Sequence, residues 1–262
     1  MTRAVTSLAN PTVKAARALH LRKAREESGQ FLAEGLKIVT EAVELGRPPR
    51  LLLFGEGAGD HPLLRRALAA TEAAGGEAIE VSRDILAKIS RRDNPQTVLG
   101  VFDQAFAPLA DLRPAAAPCW VALEAVRDPG NLGAIVRTAD AADCGGVILV
   151  GECCDPYSVE AVRATMGSVF AVAIARASVE EFLAWRRAWP GSVVGTLLSA
   201  TTDFRAAAYA APTLILMGNE QAGLTPALAA ASDVTVKIPM RGRADSLNLA
   251  VATGIMIYAA TT

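Results

Sequence analysis

The stretch CWVALEAVRDPGNLGAIVRTADA, Cys119–Ala141, sets the fold class. Its first eight residues are apolar almost throughout and read as a buried strand. Asp128, Pro129 and Gly130 then make a turn. Asn131 is placed to cap the helix NLGAIVRTADA, whose one basic residue is Arg137. A strand with no polar alternation, followed at once by a helix, belongs to a parallel sheet covered on both faces.

Downstream the pattern repeats. GGVILVG, VFAVAIA, SVVGTLL, TLILMG and DVTVKI read as strands. SVEAVRATMG, VEEFLAWRRAW (ending at Pro190) and a last helix from about Ser246 read as helices. Upstream, PTVKAARALHLRKAR (11–25) reads as one helix with Pro11 at an early helical position. QFLAEG, RLLLFG, EAIEVS and TVLGVFD read as strands, with helices LKIVTEAVEL, HPLLRRALAATEAAGG and DILAKIS between them. That is a second, smaller α/β domain. AFAPLADLRPAAAPC fits neither period. The expected division is therefore 1–105, a linker at 106–116, and 117–262.

Composition narrows the classes. The chain has 262 residues, of which 52% are hydrophobic and 20% charged, so it is globular rather than disordered. The net charge of −1 excludes adhesion to a polyanion by bulk charge. Residues 1–28 are the exception, with six basic residues against Glu26 and Glu27. A solvated helix face would also explain them. Cys119 and Cys144 lie in apolar runs as small core residues, and no CxxC pair suggests zinc. The start MTRAVTSLAN has no secretory h-region and no apolar run is long enough for a bilayer, so a cytoplasmic protein is expected.

In an open parallel sheet, ligands sit at the carboxyl ends of strands. Three polar clusters follow three strands here. The first is RDPGNLGAIVR. The second is GNEQAGL, where Gly218 lets a ligand approach, Gly223 permits a left-handed turn and Glu220 is the one carboxylate. The third is IPMRGRADSLN, where Ser246 is placed to cap the last helix and Asn248 falls in its first turn. A cap explains Ser246 but not Arg241, Arg243, Asp245 and Asn248 between two segments that read as buried. A buried-edge polar group needs a partner, which a ligand would supply. No GxGxxG, GxxxxGK[ST] or GxSxG occurs at a strand end, so Rossmann, P-loop and nucleophile-elbow sites are not indicated.

DPGNLGAIVRTADA, LMGNEQAGL and IPMRGRADSLNLAVA resemble, in order and spacing, the three motifs of the SpoU (TrmH-type) RNA 2′-O-methyltransferases of the SPOUT superfamily. NPTVKAARALHLRKAREESGQFLAEGLKIVTEAV is similar to the small α/β (L30e-like) substrate-binding domain often fused ahead of it. The resemblance implies a mainly parallel α/β domain whose C-terminal segment is threaded as a trefoil knot, against the general rule. It implies S-adenosylmethionine as cofactor, held at Gly218, Ile238 and Leu247 with Leu216, Met240 and Thr196 lining the pocket. It implies a homodimer, RNA (ribosomal more than transfer) as substrate, and Arg137, Asn131, Glu220, Ser246 and Asn248 at the reaction site. Because arginine stays protonated, Arg137 is expected to clamp a phosphate beside the target ribose, leaving the proton to that phosphate, Glu220 or water. Arg17, Arg22, Lys23, Arg25, Arg241 and Arg243 are the expected RNA contacts. RATMGSVF departs from the usual pattern at Met166. The weighed alternatives are a transfer-RNA 2′-O-methyltransferase, a non-catalytic RNA-binding or assembly factor, and a base methyltransferase with a related knot.

Overall fold

The computed structural model describes residues 3–261. In chain order the elements are β1 (Arg3–Val5), α1 (Pro11–Ala18), α2 (Arg22–Ser28), β2 (Gln30–Glu34), α3 (Leu36–Glu44), β3 (Leu51–Gly55), α4 (Pro62–Ala73), β4 (Glu77–Val81), α5 (Arg83–Ser90) and β5 (Val98–Asp103). Then come β6 (Cys119–Glu124), α6 (Pro129–Ala141), β7 (Gly146–Val150), α7 (Val159–Thr165), β8 (Ala173–Ala177), α8 (Val179–Arg186) and β9 (Val193–Thr196). The chain closes with β10 (Thr202–Asp203), β11 (Thr213–Met217), α9 (Pro226–Ala230), β12 (Val234–Lys237) and α10 (Leu249–Thr261). Two compact units form. One holds the chain to Gln104 together with Tyr157–Phe170, and the other holds Ala105–Pro156 and the chain from Ala171 on.

The first unit is a five-stranded sheet in the order β1-β4-β3-β5-β2. β1, β4 and β3 run parallel, and β5 is antiparallel to both β3 and β2. Leu32, Leu53, Ile79, Ile85 and Leu99 fill its core. Tyr157 and Phe170 group with this unit because their rings pack on Phe31, at centroid distances of 4.6 and 5.8 Å. The single helix expected over 11–25 is two helices. α1 ends at Ala18, and Leu21, in extended conformation, starts α2. A helix end leaves carbonyls without partners. Arg25 Nη1 donates to the Leu19 carbonyl at 2.7 Å, and Arg25 is only 3% exposed.

The second unit is a seven-stranded sheet in the order β10-β12-β9-β11-β6-β7-β8, parallel at every pairing. From β6 the chain first winds one way, to β7 and β8, and then occupies the other side. The strand expected at VFAVAIA begins later, at Ala173, because Ser168–Phe170 form a 3-10 turn. β12 lies between β9 and β10, so the connection from β9 to β10 crosses over it. Leu197 N–H in that connection donates to the Val236 carbonyl at 2.9 Å. The flanks of the last polar loop are less buried than their apolar letters suggest. In α10 only Leu249, Thr253, Met256 and Ile257 are buried, while Val251 and Tyr258 are half exposed.

Candidate active site

Because every strand of the second sheet points the same way, the loops after β6, β9, β11 and β12 emerge at one edge. They enclose a cleft of about 430 Å³. Its walls are Thr196, Leu197 and Leu198 after β9, residues 217–221 and Gly223 after β11, Ile238, Met240 and Ser246–Leu249 after β12, and Asn131 and Ala252 on helices.

The floor is built by hydrogen bonds between loops. Glu124, at the end of β6 and buried, accepts from Thr225 N at 2.8 Å and from Thr225 Oγ1 at 2.7 Å. Asn219 Nδ2 donates to the Ala125 carbonyl at 2.8 Å. Asn219 and Gly223 exchange backbone bonds, with Gly223 in the left-handed region at φ +69° as expected. Gly218 has a further reason besides the one the sequence suggested. A Cβ there would collide with the backbone of Gly223 and Leu224, so the glycine lets the loop close on itself. The thiol of Cys154, nearby, is pushed up to about 12, first by burial and then by Cys153, Glu220 and Asp128.

Three candidate residues meet directly. Glu220 accepts from Arg127 N, Asp128 N and Asn131 Nδ2, each at 3.3 Å. Asn131 Oδ1 accepts from Asn248 Nδ2 at 2.8 Å. Asn248 Oδ1 accepts from Ala250 N at 2.9 Å and Val251 N at 3.3 Å. The order of the chain has no freedom. A carboxylate only accepts and a backbone N–H only donates, so both amides are fixed in orientation. Two cap assignments change accordingly. Asp128, not Asn131, caps α6, its Oδ1 accepting from Asn131 N at 2.6 Å. Asn248, not Ser246, caps α10, and Ser246 Oγ donates to Asp245 at 3.2 Å from the cleft rim.

The other candidates divide. Ile238, Leu247, Met240, Thr196 and Gly218 line the cleft. Leu216 does not; it is 0% exposed in the core under the sheet, and its neighbour Met217 is the wall. Adjacent strand residues face opposite ways. Arg137 is exposed on α6, outside the cleft lining, with no bond or ion pair among the described residues. Arg241 and Arg243 are exposed on the loop before α10. Arg205 chiefly, and Arg241 more weakly, hold the Asp203 carboxyl down at about 2, which places Arg241 near the end of β10. In the other unit Arg17 is exposed, Arg22 and Lys23 pair with Glu26 and Glu27 one turn on, and Arg25 is removed from the surface by its bond to Leu19. Met217, Asn219 and Gln221 are cleft residues that the sequence reading did not single out.

The apolar walls and sparse polar partners suit an adenosine-type ligand. Thr196 Oγ1 fits as well. It is buried at the cleft with no hydrogen-bond partner among the described residues, a donor that a ligand atom would satisfy. No group of three or more metal-ligating side chains occurs among the described residues.

A parallel sheet with a ligand cleft at its carboxyl edge defines a broad class of α/β enzymes. Residues 118–258 match the SpoU rRNA Methylase family, and the chain belongs to it. Residues 10–100 match the MRM3-like substrate binding domain. A 23S rRNA (uridine(2479)-2′-O)-methyltransferase from Streptomyces viridochromogenes is 34% identical over 91% of this chain and 85% of that protein. A 23S rRNA (guanosine(2553)-2′-O)-methyltransferase from Bacillus subtilis is 29% identical over 97% of each. Among solved structures, an AdoMet-bound rRNA methyltransferase from Sinorhizobium meliloti is 50% identical, with a TM-score of 0.92 over 99% of this chain and 97% of that one.

Proposed function

We propose that the protein transfers a methyl group from S-adenosylmethionine to a ribose 2′-hydroxyl of ribosomal RNA. The observation that carries the reading is the single cleft in which Asn131, Glu220 and Asn248 interlock beside an apolar slot. Relatives named as 23S rRNA 2′-O-methyltransferases support ribosomal over transfer RNA. They also disfavour a non-catalytic assembly factor.

S-adenosylmethionine supplies an electrophilic methyl when bound. Ile238, Met240 and Leu247 would hold its apolar parts, with backbone groups of the loop from Gly218 and the Thr196 hydroxyl as polar partners. The protein's remaining task is alignment of the hydroxyl. The Glu220 carboxylate is taken up by donors from the start of α6, so it orients Asn131 rather than carrying the proton away. Ser246, on the rim with an exposed hydroxyl, is placed to meet the ribose. Arg137, exposed and without a partner among the described residues, suits the clamp on a neighbouring phosphate. The proton then passes to that phosphate or to water.

The threaded C-terminal segment belongs to the same proposal, supported by the passage of β12 beneath the β9–β10 connection. So does a homodimer. α10 is apolar on nearly every face yet leaves Val251 and Tyr258 exposed, a surface a second copy would cover. No described helix is long and apolar enough to cross a membrane; acting on ribosomal RNA, the enzyme works in the cytoplasm. Mapping ribose methylation in ribosomal and transfer RNA from cells with and without the gene tests the reading. One or a few 23S positions should lose the mark. A loss confined to transfer RNA would reject the substrate.

A further inference from the structure

One corner of the N-terminal unit concentrates arginines around a single buried acid. Glu34, at the end of β2, has a side chain only 4% exposed. Arg92 Nε lies 3.6 Å from its Oε2, and Arg163 Nη2 lies 3.4 Å from the same atom. Those two side chains stay 33% and 42% exposed. Arg92 keeps both its Nη nitrogens, and Arg163 its Nη1, without a partner among the described residues, while Arg163 Nε is buried without one.

Arg91 adjoins them. It is exposed, it makes no ion pair among the described residues, and it holds φ +56° at the C-cap of α5. That left-handed position favours glycine. Keeping a long cationic side chain in a backbone state that disfavours it points to use of the side chain. His20 closes the corner, its ring N–H donating to the Ile89 carbonyl at 2.6 Å. The nearby acids Asp93 and Glu160 form no ion pair with the three arginines among the described residues. One buried carboxylate thus braces two half-exposed guanidiniums, beside the exposed Arg91. With Arg91 exposed and the other two side chains a third or more exposed, they suit an extended polyanion lying along the surface.

We propose that Arg91, Arg92 and Arg163 grip successive phosphates of the RNA substrate, with Glu34 as the brace that aims two of them. A guanidinium fork matches phosphate oxygens bidentately, and a pre-aimed fork loses less side-chain freedom on binding. The proposal rests on the RNA-methyltransferase reading and adds the surface that holds the RNA.

The test measures binding of the whole protein to a 23S rRNA transcript between about 50 and 300 mM KCl, alongside methyl transfer and thermal unfolding. Arg92→Gln should lower the slope of log K against log salt by about 1, and the double change R91Q/R92Q by about 2. Arg91→Gly separates grip from scaffold. Glycine suits φ +56°, so Tm should hold or rise while the slope still falls by about 1. Arg66→Gln, which removes a cation paired with Glu44, should leave the slope unchanged. Wild-type slope and affinity in both R91G and R92Q, with methyl transfer to RNA intact in the unaltered protein, would overturn the grip. Absence of methyl transfer in the unaltered protein would instead reject the reading on which it stands.

Discussion

Two regions of the chain carry conspicuous polar residues, and they resolve in opposite ways. At the carboxyl edge of the parallel sheet, residues from positions 131, 220 and 248 satisfy one another across three loops. In α2 the charges are answered locally. Arg22 lies 2.7 Å from Glu26, and Lys23 lies 3.8 Å from Glu27, both one turn away. Arg25 is spent on a helix-end carbonyl. Charge that the next helical turn can neutralise says little about a ligand. Polar groups that find partners only across distant loops mark a built site, because ordering those loops costs entropy that a solvated surface would not spend.

The largest expected effect lies at the sheet edge. Glu220→Ala removes the acceptor of four donors and frees the Asn131 amide to turn. Methyl transfer should fall by about 100-fold, the scale of a small misplacement of reacting groups, with much smaller loss of cofactor affinity. Steady-state kinetics with a calorimetric cofactor titration would show it; a twofold loss would mean the interlocked amides do not position anything. Gly218→Ala comes next. Its methyl has no room against Gly223 and Leu224, so about 1–3 kcal/mol of stability should go, together with cofactor binding. Denaturant unfolding and the same titration check both.

A paired experiment sharpens the contrast in the helices. Arg25→Ala should cost about 2 kcal/mol, from a buried carbonyl left without its charged donor, and leave the salt dependence of RNA binding alone. Arg17→Gln should do the reverse, with little change in stability and a slope lower by about 0.7–0.9. The smallest effect is in pH. Burial holds His20 below its ordinary 6.5, helped by Arg91, against the opposing pull of its bond to Ile89 and of Glu34 and Glu160. The folded chain therefore favours neutral His20. Its contribution is present above pH 6.5 and is lost as pH falls toward the lowered value. A melting series from pH 7.5 to 5 should be flatter in His20→Asn than in the unaltered protein.

The strand–helix alternation and the three polar turns were legible in the sequence because buried parallel strands and turn residues have strong local signatures. The choice between Leu216 and Met217 was not. Both faces of a central strand are apolar, so nothing in TLILM tells which parity faces the cleft. Asp128 and Asn131 are both good caps, and only the start of α6 decides between them. The sequence marks Gly218 as a close approach, and part of what approaches is the protein's own backbone. Arg25 looked like its basic neighbours until the break after α1 gave it a carbonyl to hold. The arginine corner at Glu34 draws on positions 34, 92 and 163, which no local pattern connects.

The most direct test incubates the purified protein with methyl-labelled S-adenosylmethionine and a 23S rRNA transcript, then hydrolyses the RNA in alkali. Alkaline cleavage needs a free 2′-hydroxyl, so a ribose methyl leaves an uncut dinucleotide. Label should appear in alkali-resistant dinucleotides and fall by about 100-fold with Glu220→Ala. Label recovered in mononucleotides, as a base methylation would give, or no transfer at all, would contradict this.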